Sequence, residues 1–215
     1  MIKNNTKWVV FLLVVDAMLS IARIFISVKS YNWLVEVHEG LHTDMAIIDN
    51  LTQWENTICF AQIIVFIALG ISVLIWLYQA HKNLSLLGVQ HLKYSHASCV
   101  WWYFVPFANL LMPFRTMKET WQASHAPSDW FMLRTPAILR IWWGVWLLNS
   151  FLGNIVLRIG DHVQTFEQVT DFLVLIIISQ FVSIVLNFVF YKVIMAIDTK
   201  QRSYVQQNAS TSLVS

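Results

Sequence analysis

Four apolar runs, each long enough to cross a bilayer, leave this 215-residue chain few folds to choose from. A spanning helix takes about 20 residues at roughly 1.5 Å rise each, and it satisfies every backbone donor and acceptor within the segment. The runs fall at Trp8–Ser27, Ile58–Gln79, Ala137–Val156 and Phe172–Ile197. With 57% hydrophobic and 12% charged residues, the chain is too apolar for a soluble domain of its size. These features predict an all-α integral membrane bundle of four transmembrane helices. It forms one domain over residues 1–198, and a polar flexible cytoplasmic tail follows over 199–215.

Charge orients the bundle. Val28–Asn56 carries Glu36, Glu39, Asp44, Asp49 and Glu55 against Lys29, whereas the connection between the second and third spans carries Lys82, Lys93, Arg115, Lys118 and Arg134. Both ends lean basic through Lys3, Lys7, Lys192, Lys200 and Arg202. The positive-inside rule then places both termini and the basic loop in the cytoplasm and the acidic loop outside. The amphipathic rings of Trp8, Trp76, Tyr78, Trp142, Trp143 and Tyr191 fit the inner headgroup level, and those of Trp33 and Trp54 the outer one. Asp16 interrupts the first apolar run, which continues beyond the cleavage-like Ser20-Ile21-Ala22, so the reading is a retained span rather than a signal peptide. A net charge of +2 gives no nucleic-acid footprint. Cys59 and Cys99 fall on opposite sides of the membrane in this topology and are expected not to pair.

Between spans two and three, Ser98–Trp121 is neither a span nor a soluble loop. Pro106 and Pro113 each remove a backbone donor and clash with the preceding turn, which predicts a kinked interfacial or re-entrant segment. Its aromatic residues suit the headgroup level, and Arg115 and Lys118 just beyond suit anionic lipid or an acidic partner. His81, His91 and His96 have spacings that no helix face gathers, and read as surface or interfacial.

Polar residues inside the spans are the first candidates for function. An ionised Asp16 at mid-span costs roughly 2.5–3.5 kcal/mol on the mildest insertion scale, so it must face other helices. Ser20 and Arg23 share its face, Arg23 with a stem long enough to snorkel outward. Ser179, Ser183 and Asn187 recur every four residues in the last span, and Asn149, Ser150 and Asn154 mark the third. Such stripes serve as hydrogen-bonding glue between helices, or else line a path for protons or ions in a small oligomeric transporter or channel.

The acidic loop holds His38-Glu39-Gly40-Leu41-His42, a match to the pattern in which two histidines one helical turn apart bind zinc and the glutamate activates water. That is the only cofactor the sequence suggests, with His38 and His42 as ligands, Glu39 as base and a zinc-dependent membrane hydrolase as the implied activity. Gly40 weakens the helix the motif needs by about 1 kcal/mol.

At the end of the second span the chain reads Trp76-Leu77-Tyr78-Gln79-Ala80-His81-Lys82-Asn83-Leu84, then Gly88. Trp101-Trp102-Tyr103-Phe104-Val105-Pro106, Asn109-Leu110, Pro113, Trp121 and Trp142-Trp143 follow. This order resembles the membrane family catalogued as domain of unknown function 4328, found mainly in bacteria, over about residues 74–191. The chain departs from the pattern at Leu111-Met112, where an aromatic and a basic residue are expected. The resemblance implies a multi-pass protein of a bacterial cytoplasmic membrane with no assigned activity. The leading expectation is a non-enzymatic role through helix, lipid or protein contacts, with the bilayer, a membrane-protein partner or a second copy of the chain as partners.

Overall fold

The computed structural model describes residues 5–41 and 45–212, apart from the side chains of Asp161 and of 208–212. Six helices follow in order: α1 (Thr6–His38), α2 (Met45–Leu86), α3 (Ser98–Trp101), α4 (Met112–His125), α5 (Ala137–Ile159) and α6 (Phe166–Ser212). Short 3-10 turns lie at Ala108–Leu110, Trp130–Met132 and Gly160–His162, and no strand occurs among the described residues.

Among the described residues three helices are long and apolar enough to cross a membrane: α1, α2 and α6 over Phe166–Gln207. α5, with 23 residues, has the length for a fourth. It carries the polar Asn149, Ser150 and Asn154 and the amphipathic Trp142, Trp143 and Trp146.

The helices outrun the apolar segments that predict them. α2 has 42 residues, roughly 63 Å of helix against about 30 Å of hydrocarbon. The acidic stretch 28–56 is therefore mostly helix rather than loop, because its Glu, Leu, Gln and Trp residues sustain a helix that a span has already nucleated. Within the stretch expected as a tail, α6 continues through Ser212, and Gln201 is 1% exposed. Pro113 occupies the first turn of α4, where its missing N–H costs nothing, so it starts a helix instead of kinking one.

Two glycine stops turn the chain. At the end of α2, Gly88 has φ +75°, Val89 N–H donates to Leu84 C=O (3.1 Å) and Gly88 N–H to Ser85 C=O (3.2 Å). This is a Schellman motif, closed by the Leu84–Val89 apolar contact. Gly40 (φ +79°) ends α1 in the same way, with Leu41 N–H donating to Glu36 C=O and Gly40 N–H to Val37 C=O.

The chain forms two compact units. The first comprises Met1–Phe11, Leu69–Gly144 and Val189–Ser215, the second Leu12–Ala68 and Val145–Phe188. In the first, Trp142 stacks on Phe190 (5.4 Å), Trp76 meets the same ring edge-on (6.5 Å), and Phe114 packs by Trp143 (6.3 Å). In the second, Met18, Phe25, Phe60, Phe66 and Phe181 are exposed while Ser20, Ser27, Ser179 and Asn187 are buried. An apolar exterior around a polar interior is the pattern of helices solvated by lipid.

Candidate functional site

The first unit is built around α4, a polar helix that is nonetheless buried: Thr116, Glu119, Thr120, Gln122 and Ser124 are all inside. Its hydroxyls are satisfied along the helix, with Thr116 donating to Pro113 C=O, Thr120 to Thr116 C=O and Ser124 to Thr120 C=O. Gln122 donates to the carbonyl of Leu133. Glu119 accepts from the backbone N–H of Lys93 (2.8 Å) and Tyr94 (3.2 Å), which pins the 87–97 connection against α4.

That connection brings His96 back to the last turns of α2. His81, fully buried, has Nε2 3.2 Å from Glu119 Oε1 and Nδ1 2.7 Å from His96 Nδ1. His96 Nε2 lies 3.2 Å from the Ser85 hydroxyl. An acceptor-only carboxylate at Glu119 requires the proton of a neutral His81 on Nε2; His81 Nδ1 then accepts from His96 Nδ1–H, and His96 Nε2 accepts from Ser85. One directed chain thus runs Ser85, His96, His81, Glu119. Partial burial, then the neighbouring His81 and Lys82, hold the His96 pKa below the usual imidazole value. Beside this chain the buried Cys99 thiol is pushed up to about 12 by burial and the Glu119 charge, which makes it an inert thiol. Burial also raises the Tyr103 phenol. The expectation of surface histidines is therefore corrected for His81. It lies on α2, which continues past the apolar run, and no local pattern announces a partner fifteen residues on.

A second network joins α2, α4 and α6. Gln201 accepts from Asn83 Nδ2 (3.0 Å) and donates to Ala80 C=O (2.8 Å) and to Ser124 Oγ (2.9 Å). Tyr204 donates to the His125 carbonyl (3.0 Å), and His125 Nδ1–H donates to Trp121 C=O (2.8 Å) with the two rings stacked at 3.7 Å. A cavity of about 380 Å³ opens between Leu87, His125, Asp129 and Tyr204. Burial lowers the His125 pKa, against the Trp121 carbonyl, which raises it, and with Lys200, which lowers it further.

Both lowered histidines give stability a sign with pH. The unfolded chain takes up their protons near 6.5, the folded chain only at lower pH, so between those values the unfolded state binds more protons. Stability is expected to fall as pH drops through about 6.5 and to level off once the folded imidazoles titrate. Thermal unfolding in detergent from about pH 8 to about pH 5 measures this, and His125→Gln should flatten the slope. A midpoint that rises on acidification would contradict it.

The second unit gathers the polar residues of the apolar runs. Asn187 donates to Asp16 Oδ2 (2.7 Å), with the Ser183 hydroxyl at 3.5 Å. Arg23 does not snorkel: it donates to Gln62 Oε1 (3.1 Å) and lies 3.6 Å from Glu55, because a carboxylate and an amide on α2 offer it a better partner than the interface. Gln62 donates onward to Gln180 (2.8 Å) and Ser20 (3.4 Å), and Ser27 donates to Glu55 (3.1 Å). Glu55, Gln62 and Gln180 are additions that the seven-residue recurrence of polar positions on α1 could have prompted. Ser179, Ser150 and Asn154 instead bond carbonyls of their own helices, and Asn149 is half-buried.

The zinc-like motif is split by the end of α1. His38 is the last helical residue and stacks on Phe166 at 4.2 Å; Glu39 and Gly40 form the turn. His42 and Asp44 lie outside the described residues. Among the described residues no group of three or more His, Cys, Asp or Glu side chains is arranged for a metal.

The motif residues Trp76, Asn83, Gly88, Trp101, Trp102, Pro106, Asn109, Pro113, Trp121, Trp142 and Trp143 all fall in the first unit. Trp76, Asn83, Pro113, Trp142 and Trp143 are buried, and Trp76 Nε1 donates to Thr6 (3.1 Å); Trp101 and Pro106 are exposed. A family model described as "Domain of unknown function (DUF4328)" matches residues 40–199, a wider stretch than the motifs themselves cover. Neither the curated proteins nor the solved structures contain a match.

Proposed function

The chain belongs to the family described as "Domain of unknown function (DUF4328)", and from that premise we propose a four-span, non-enzymatic protein of a bacterial cytoplasmic membrane. Both termini are cytoplasmic and α5 is the fourth span. The protein works through its Trp/Pro segment, which lies at the inner headgroup level and binds anionic lipid.

One observation carries this reading. Between buried Cys99 and buried Pro113, the segment exposes Trp101 (66%), Phe104 (62%), Phe107 (86%) and Leu111 (59%). Phe107 is held at φ +63°, a conformation that costs a non-glycine residue about 1–2 kcal/mol. A surface of this kind is stable against lipid and not against water. Exposed Arg115 and half-exposed Lys118 follow within the next two turns, where each cation near an anionic leaflet contributes about 1 kcal/mol.

A nitroxide on Phe107→Cys, in a Cys59→Ser background with Cys99 buried, tests the reading in vesicles. The label is expected to be shielded from an aqueous relaxant and open to oxygen, whereas a label on Asp129→Cys stays aqueous. Shielding should weaken when anionic lipid is omitted or in Arg115→Glu/Lys118→Glu. A fully aqueous label in every vesicle composition would reject the lipid surface and leave a protein partner or a second copy to cover it.

A further inference from the structure

Along α1 the residues Asp16, Ser20, Arg23, Ser27 and Ser30 are spaced four, three, four and three apart, so they form one face. The opposite face exposes Val14, Met18, Ile21 and Phe25. Ser20 and Ser27 are wholly buried. Glu55 and Gln62 on α2, with Gln180, Ser183 and Asn187 on α6, meet this face through the hydrogen bonds already described. The result is a polar seam enclosed by helices whose outer surfaces are apolar.

The charges of the seam do not balance. Between Lys7 and Lys29, α1 carries only Asp16 and Arg23; α2 carries no acidic or basic residue between Glu55 and His81. α5 carries none between Arg140 and Arg158, nor α6 between Asp171 and Lys192. Arg23 is engaged by Glu55 at 3.6 Å and by Gln62 at 3.1 Å. It stands seven residues from Asp16, about 10 Å of helix rise. Two ionised carboxylates against one guanidinium would leave one uncompensated negative charge in surroundings where such a charge costs several kcal/mol. Among the described residues Asp16 meets only neutral groups, Asn187 Nδ2 at 2.7 Å and the Ser183 hydroxyl at 3.5 Å, both at Oδ2. Both act as donors to Oδ2, an arrangement that the carbonyl oxygen of a protonated carboxyl accepts.

We propose that Asp16 is a proton-binding site: its Oδ1 carries an exchangeable proton while Oδ2 accepts from Asn187 and Ser183, and the seam is thereby neutral. Ser20, one turn along α1 from Asp16 and bonded to Gln62, continues the seam toward Arg23 and Glu55. On the other side of Asp16 in α1, the buried Leu12 and Leu13 are apolar and close the seam. The assignment is independent of the lipid-binding reading, since it uses no residue of the Trp/Pro segment.

Infrared spectroscopy of the full chain in lipid vesicles at neutral pH tests it. The expected result is a protonated-carboxyl C=O band that shifts in D2O, is missing from Asp16→Asn and persists in Glu55→Gln. A wild-type protein without that band, or a band that survives Asp16→Asn or is lost in Glu55→Gln, overturns the proposal. Loss of the band when sodium replaces potassium also overturns it, by assigning the site to a cation. Should Asp16→Asn not fold, dicyclohexylcarbodiimide labelling of the wild type decides. An adduct on the Asp16 peptide supports the proton site, and an adduct on Glu55 alone, or none, overturns it.

Discussion

Replacing Glu119 with alanine is expected to release the 87–97 connection and to destabilise the first unit by about 3–5 kcal/mol. The carboxylate is 3% exposed and accepts three bonds, from His81 Nε2 and from the backbone N–H of Lys93 and Tyr94. Water reaches the two backbone groups once the loop lifts, but His81 is wholly buried and its N–H is left unpaired. Glu119→Gln keeps a carbonyl acceptor and loses only the charge assistance, for about 1–2 kcal/mol. Denaturant titration in micelles ranks the variants. Alkylation of Cys99 in a Cys59→Ser background reports the opening, because the thiol is buried beside Glu119 and held at about 12 in the native fold. Equal midpoints for wild type and Glu119→Ala, with Cys99 still protected, would refute the pinning role.

The second large effect lies in the C-terminal helix. Ending the chain after Lys200 removes the Gln201 bonds to Asn83, Ala80 and Ser124 and the Tyr204 bond to the His125 carbonyl. Each buried hydrogen bond contributes about 1 kcal/mol, and the space left by a wholly buried glutamine adds a cavity term, so the loss should reach about 3–5 kcal/mol. Ending it after Gln207 leaves all four bonds in place and is expected to keep the wild-type midpoint. Gln201→Leu in the full chain retains the helix and should still lose more than half of the effect, which assigns it to the side chain. A chain ending at Lys200 that unfolds like the full-length protein would show that residues 201–215 behave as a free tail after all.

The sequence by itself determined that the chain is helical, with apolar runs long enough to cross a membrane, and it marked the polar residues that must turn inward. Run length and apolarity are local quantities, compared with a fixed hydrocarbon thickness, so α1, α2 and α6 are legible one window at a time. That Asp16 and the Ser183/Asn187 stripe turn inward is legible for a related reason: mid-span polar groups have no water to turn to and must find partners on other helices. Helix ends were less legible. α1 passes well beyond its apolar run until Gly40 permits a left-handed turn, and α6 passes through a Gln/Ser-rich stretch, because an existing helix propagates through polar residues at little cost.

The tertiary structure alone decided the partners. His81 finds Glu119 across 38 positions, Gln62 finds Gln180 across 118, and Asn83 finds Gln201 across another 118. It also made a buried helix of α4, whose composition reads as surface, and drew Arg23 inward to Glu55 although its stem would reach the interface. A buried polar group is stable only opposite its complement, and that complement is supplied by the packing of distant helices, which no stretch of neighbouring residues encodes.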